Sequence, residues 1–194
     1  EVPRTLAVID VGYGVGAGVI LNGQLLHGDP CGAGEIGHVR VVEGGERCGC
    51  GHDGCLETVV SSRALLRRAR AIAQDPQSLL GRLAKTADAV DLDAVCQALR
   101  AGDPPVLALV RDVAISLGIA AANLVGVLGS CRIILAGSVT CLGSPLLDLV
   151  REEMAARTFA PLAAKSQIEF ASLAGDVVVL GASALVLSNE LGLL

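Results

Sequence analysis

Between residues 34 and 57 the chain reads GEIGHVRVVEGGERCGCGHDGCLE, and no other segment limits the fold as much. His38, Cys48, Cys50 and Cys55 follow one another as H-x9-C-x-C-x4-C. One imidazole and three thiols at this spacing can close a tetrahedral zinc site. Gly44, Gly45, Gly49, Gly51 and Gly54 leave the loop free to wrap around an ion. Four protein ligands leave no position for water, so a zinc held this way is structural rather than hydrolytic. The competing reading is a reactive or incidental cysteine cluster. His52 is a spare donor, expected to be an exposed loop histidine. Cys31, Cys96, Cys131 and Cys141 are expected to be small buried hydrophobes.

Seven cysteines is an odd number, and EVPRTLAVID at the start has neither the basic region nor the apolar core of a signal peptide. Clustered cysteines without an export signal predict metal ligation in a reducing compartment, hence a cytoplasmic protein. No run of 18 apolar residues occurs, so no membrane span is expected. The net charge of −5 and the single basic run, RALLRRARA at 63–71, argue against direct binding of nucleic acid. Aromatic residues make up 2% of the chain, which removes base stacking as a binding mode. Apolar residues make up 52%, so a core is available, but it must be built from Leu, Val, Ile and Ala.

TLAVID (5–10) and AGVIL (17–21) predict strands, and Asn22-Gly23 predicts a type I′ turn into QLLH. VRVV (39–42) is a further strand candidate, and a long helix is expected from Leu56 to Gln74, ending before Asp75-Pro76. Asp91 reads as the N-cap of LDAVCQALR, with Gly102 past its end. Pro104 and Pro105 open a long apolar helix through Leu128. RIILAG (132–137) predicts a buried strand, Pro145 to Arg157 a helix, QIEFA (167–171) a strand, and a last helix begins near Asp176. The alternation in the second half indicates an α/β fold.

GEIGH followed by CGCG-x2-GCLE resembles the signature of the ROK family, a group of repressors, open reading frames and kinases. VGYGVGAGVILNG (11–23), RIILAGSV (132–139) and GDVVVLGASALVL also fit, in the right order, so that the resemblance covers nearly the whole chain. It implies one lobe of the two-lobed actin-like, sugar-kinase (ribonuclease H-like) fold, with a hexose in the cleft. Glu35, His38 and Glu57 would then face sugar hydroxyls, since carboxylates accept from paired hydroxyls and so read ring stereochemistry. A histidine that ligates zinc through one nitrogen can offer the other to the sugar, with its tautomer fixed by the metal. Without the resemblance, Glu35 and Glu57 read as ordinary loop and helix-start carboxylates.

VGYGVGAG resembles the family's second phosphate loop, in which the amides of Gly12, Gly14 and Gly16 would cradle phosphates. Taken alone, it reads equally as a tight strand connection. Tyr13 stands where family kinases usually carry Thr. Ala136-Gly137-Ser138 stands where their adenosine-side turn usually has three glycines. Both departures weigh against ATP. A first phosphate loop, Asp-x-Gly-x-Thr, and an Asn-Asp-x-Asn-type catalytic Asp do not occur, and neither does a winged helix-turn-helix. The expectation is therefore a C-terminal lobe (1–174) without its N-terminal lobe, followed by a final helix (175–194) that in the family packs on that lobe. Its apolar face would be covered by self-association or rearrangement, consistent with a homo-oligomer. The leading expectation is a sugar- or amino-sugar-sensing effector domain of a ROK regulator, not an enzyme, that meets DNA only through a separate domain. The alternative is a piece of an ATP-dependent ROK sugar kinase.

Overall fold

The computed structural model describes residues 5–29, 32–84, 86–172 and 177–191. Its sheet has the order β3-β2-β1-β4-β5, formed by β1 (Thr5–Val11), β2 (Val15–Leu21), β3 (Gln24–Leu25), β4 (Arg132–Ala136) and β5 (Gln167–Phe170). β1, β2 and β3 form an antiparallel meander. β4 and β5 join β1 in parallel, with Ala7 opposite Ile133 and Ile133 opposite Ile168. The β2–β3 turn is of the expected type: Asn22 and Gly23 both take positive φ, 54° and 85°.

The helices are α1 (Leu56–Val60), α2 (Ser62–Ala73), α3 (Leu79–Ala84), α4 (Leu92–Arg100), α5 (Pro104–Leu128), α6 (Gly143–Arg157), α7 (Ala160–Ala163) and α8 (Val177–Glu190). Asp91 caps α4 as expected, its Oδ1 accepting from the Ala94 amide at 2.8 Å. α5 is long and apolar enough to cross a membrane by composition alone, yet 61% of its most apolar stretch is buried inside the fold. It is the central core helix, packed on α6, α1 and α2. Ile9, Leu56, Leu65, Leu80, Leu117, Ile133, Leu135 and Leu146 are fully buried around it. The aromatics contribute little, with Tyr13 and Phe159 exposed and Phe170 half-buried.

Two expected elements differ. The single helix over 56–74 is two helices broken at Ser61, which is extended (φ −59°, ψ 153°) and caps α2 through its hydroxyl on the Ala64 amide. The Ser62 amide turns away to donate to the Gly12 carbonyl at 2.8 Å, so the break fastens the helix pair to the β1–β2 connection. VRVV is not a sheet strand. Its amides and carbonyls are used locally, with Val41 and Val42 donating to Gly54, Val39 accepting from Leu56, and Arg40 bridging Cys55. α3, α7 and the 3-10 turns at Ala87–Ala89 and Ser138–Leu142 had no expected counterpart. Cys96 and Cys131 are buried as expected; Cys141 is not, because the 138–142 turn carries it at the surface. Cys31 lies outside the described residues.

Candidate functional site

The glycine-rich loop comes back onto β2 because two of its glycines admit no side chain. A Cβ on Gly34 (φ 95°) would stand 1.8 Å from the Ala17 carbonyl oxygen, and one on Gly37 would stand 2.2 Å from that of Val15. The contact is sealed by the Ala17 amide donating to Gly34 at 2.8 Å. Anchored by these glycines, Glu35 and the 3-10 turn Ile36–His38 are held beside the start of α1. From there the chain runs out and returns through Cys48 and Cys50 to Cys55, the residue immediately before α1.

His38, Cys48, Cys50 and Cys55 meet, with one donor atom from each lying within 4.8 Å of the others. The Cys48 Sγ–His38 Nδ1 and Cys50 Sγ–Cys55 Sγ separations are both 3.6 Å. A tetrahedral ion with metal–sulfur bonds of about 2.3 Å and metal–nitrogen bonds near 2.0 Å sets donor separations of about 3.6–3.8 Å. Two of the separations match such an ion, and the four donors, all within 4.8 Å of one another, could hold one, with Cys48 and Cys55 buried and His38 and Cys50 toward solvent. Its thiols differ in acidity. The His52 backbone amide, then its ring, lowers Cys50 to about 6. Burial, then the neighbouring thiols, raises Cys55 to about 12. His52 is exposed as expected, but its Nδ1 reaches Cys50 Sγ at 3.6 Å.

The second nitrogen of His38 faces the other way, with Nε2 3.8 Å from Glu35 Oε2 on an exposed carboxylate. Glu57, in the first turn of α1, is only 16% exposed. Its Oε2 accepts from the Val15 amide at 3.2 Å, and its Oε1 lies 3.5 Å from Arg63. Of Gly12, Gly14 and Gly16, it is Gly14 that lies against Glu57: a Cβ there would be 3.0 Å from its Oε2, whereas one on Gly12 would face Asp10 and one on Gly16 the Gly34 carbonyl.

At the other edge of this loop, Ala136-Gly137-Ser138 ends β4 beside the end of β1. Gly137 (φ 86°) could carry no side chain, since its Cβ would fall 2.4 Å from the Val11 carbonyl oxygen, and Ser138 donates to that oxygen. The two glycine turns thus meet at the carboxyl ends of adjacent parallel strands, a common place for ligands in α/β sheets.

Two features here escape a reading of the sequence. The Arg63 guanidinium lies over the Tyr13 ring, 5.2 Å from its centroid, as a cation–π pair on the rim of the loop. Asp10, at the end of β1, is exposed with its carboxylate against the Gly137 turn. A cavity of about 390 Å³ lies apart from all this, bordered by Val42, Glu46, Arg68 and Asp112, and none of Glu35, His38 or Glu57 lines it.

This is a mixed α/β fold of the actin-like, sugar-kinase type. A ROK family glucokinase from Streptomyces griseus, solved with glucose and AMPPNP, superposes with a TM-score of 0.83 at 30% identity over 95% of this chain and 61% of its own. The ROK family model matches residues 3–189, and the chain belongs to the ROK family. Its relatives fall on both sides of that family. A glucokinase from Halalkalibacterium halodurans is 34% identical over 96% of this chain and 57% of its own length. A xylose repressor from Caldicellulosiruptor bescii is 31% identical over 96% of this chain and 47% of its own. The chain thus spans about half the length of these relatives.

Proposed function

We propose that this chain is the sugar-sensing lobe of a ROK-type transcriptional regulator, in which a structural zinc on His38, Cys48, Cys50 and Cys55 braces one wall of a hexose or amino-sugar site. The observation that carries this reading is the state of the phosphate loop. Tyr13, where family kinases usually carry Thr, stands on its rim under Arg63, and within the loop the Val15 amide is engaged by the Glu57 carboxylate. A loop committed in this way suits a protein that binds sugar without handling ATP. A repressor stands among its relatives beside the glucokinases.

When bound, the ion supplies charge and rigidity and no reactive position. His38 presents Nε2 beside Glu35, and Glu57 is held by Val15 and Arg63, so both carboxylates are set before a sugar arrives. Sugar hydroxyls donate to Glu35 and Glu57 and are read by their spacing. Gly12, Gly14, Gly16 and Gly137 remain as a vestigial nucleotide cradle. The lobe carries no phosphoryl transfer of its own and acts in the cytoplasm. DNA is reached through a separate domain, whose equilibrium the sugar shifts by binding one conformation better. The apolar surface of α8, with Val179, Val186 and Leu187 each about 60% exposed, is covered by a second lobe or a second copy.

The second reading, part of a sugar kinase, is favoured by the identity to glucokinases. Calorimetric titration of the chain with hexoses, N-acetylated amino-sugars and AMPPNP separates the two. The regulator reading predicts saturable binding of at least one sugar and no nucleotide binding. Nucleotide binding at micromolar affinity, or Asp-x-Gly-x-Thr encoded upstream of Glu1, would establish the kinase reading instead.

A further inference from the structure

Apart from the loop cluster, two cysteines that the sugar site does not use come into contact. Cys96 lies in the middle of α4, flanked by the buried Val95, Ala98 and Leu99, and is itself buried. Cys141 lies 45 residues further on, in the exposed 3-10 turn Ser138–Leu142. Their sulfurs are 3.0 Å apart, closer than the 3.6 Å between Cys50 and Cys55, and the Cys96 thiol also donates to the Cys141 carbonyl at 3.2 Å.

We propose that Cys96 and Cys141 are a reversible disulfide site that locks the 138–142 turn to α4. Closing the bond brings the sulfurs from contact to about 2.05 Å. One partner is fixed by the helix and the other sits on a surface turn that can follow it. The turn is no peripheral segment: Gly137 and Ser138 at its start lie against the Val11 carbonyl, at the root of the phosphate loop. A cross-link there fixes the Gly137 turn against the end of β1. This stands independently of which ligand the cleft takes.

The oxidant is a small disulfide such as glutathione disulfide. The Cys141 thiolate, having lost its proton to solvent, attacks one glutathione sulfur and expels the other as glutathione thiolate. The Cys96 thiolate then attacks the Cys141 sulfur of the mixed disulfide and expels the second glutathione. Two protein thiols lose two electrons, and one glutathione disulfide becomes two glutathione thiols. Although the residue lies on a surface turn, its sulfur is turned against Cys96 of α4; desolvation there, followed by the Cys96 thiol, holds Cys141 up at about 12, with Asp93 adding to the effect and Arg100 opposing it, so the exchange is slow at neutral pH.

The test is incubation of the reduced full chain with glutathione disulfide at alkaline pH, followed by alkylation and tryptic mapping. The expected product joins peptides 86–100 and 133–151, two hydrogens lighter than their sum, and is reversed by dithiothreitol. It is absent from Cys141→Ser, which is exposed and should fold normally. The oxidised wild type should melt about 5–10 °C higher, as closure of a loop this long implies, and the variant should not shift. Recovery of the two peptides separately, each alkylated or each carrying glutathione, would overturn the proposal. So would a Cys141–Cys141 link between two molecules.

Discussion

Besides the proposed metal, the loop over residues 38–55 is held by exposed ion pairs and a few backbone hydrogen bonds, among them Val41 and Val42 to Gly54, Gly54 to Glu46 and Cys48 to His52. Its own ion pairs, Arg40–Glu43 and Arg47–Asp53, and the Arg67–Glu46 pair to α2 are largely exposed. Such pairs contribute about 0–1 kcal/mol each. Its only ladder is two isolated bridges, Arg40 with Cys55 and Arg47 with Asp53. A structural zinc in a small site contributes on the order of 10 kcal/mol of folding free energy, against about 0.5–1.5 kcal/mol for each of the hydrogen bonds. Removing the ion, or one ligand by Cys55→Ser, should therefore unfold the loop while leaving the sheet and α5 intact, because their core is made elsewhere. Hydrogen exchange by mass spectrometry reads this directly. Peptides over 38–55 should lose protection on chelation and in Cys55→Ser, whereas those over 5–21, 104–128 and 132–136 should keep theirs. Unchanged protection of 38–55 in the metal-free protein would refute the reasoning, since the side-chain contacts alone would then suffice.

Four further outcomes follow from the same contacts. With Cys55 held up at about 12, its proton must leave on metal binding at any working pH, so affinity should fall at least tenfold for each pH unit lowered between 9 and 7. Below about pH 6 the fall should steepen as Cys50 also takes up a proton, and competition with a chromogenic chelator measures both slopes. Leu117→Ala, at a fully buried site on α5, should cost about 3 kcal/mol and lower Tm by about 6–12 °C in thermal unfolding. Asp91→Ala removes the α4 cap and should cost about 1 kcal/mol by denaturant titration. The exposed apolar residues of α8 should drive self-association, visible as a concentration-dependent sedimentation coefficient; a monodisperse monomer that binds no hydrophobic dye would contradict this.

Local chemistry made part of this molecule readable before its structure. Asn22-Gly23, Asp91 and Pro104-Pro105 each impose a backbone geometry within a few residues, and the elements they mark stand where expected. The spacing of His38, Cys48, Cys50 and Cys55 brought those four side chains together for the same reason: a short loop with three closely spaced thiols has few ways to separate them. What could not be read depends on distant partners. The apolar run over 39–42 reads as a strand, but its one pairing partner, the turn around Gly54 and Cys55, offers a single bridge and no sheet edge. Ser61 interrupts a continuous helical pattern because the following amide is drawn to Gly12, 50 residues upstream. A serine pair at 61–62 was the available signal, as serine is a good N-cap. The Glu57–Val15 bond, the Arg63–Tyr13 stack and the Cys96–Cys141 contact likewise join segments 42, 50 and 45 residues apart, and spacing along the chain carries no trace of them.

The proposed function requires one ion that pins His38 and three thiolates beside Glu35 and Glu57. X-ray absorption at the zinc edge of the purified chain, with metal content measured on the same sample, tests it most directly. The account predicts one zinc per chain with three sulfur neighbours at about 2.3 Å and one nitrogen near 2.0 Å. A chain without stoichiometric metal, or a shell dominated by oxygen, would contradict it.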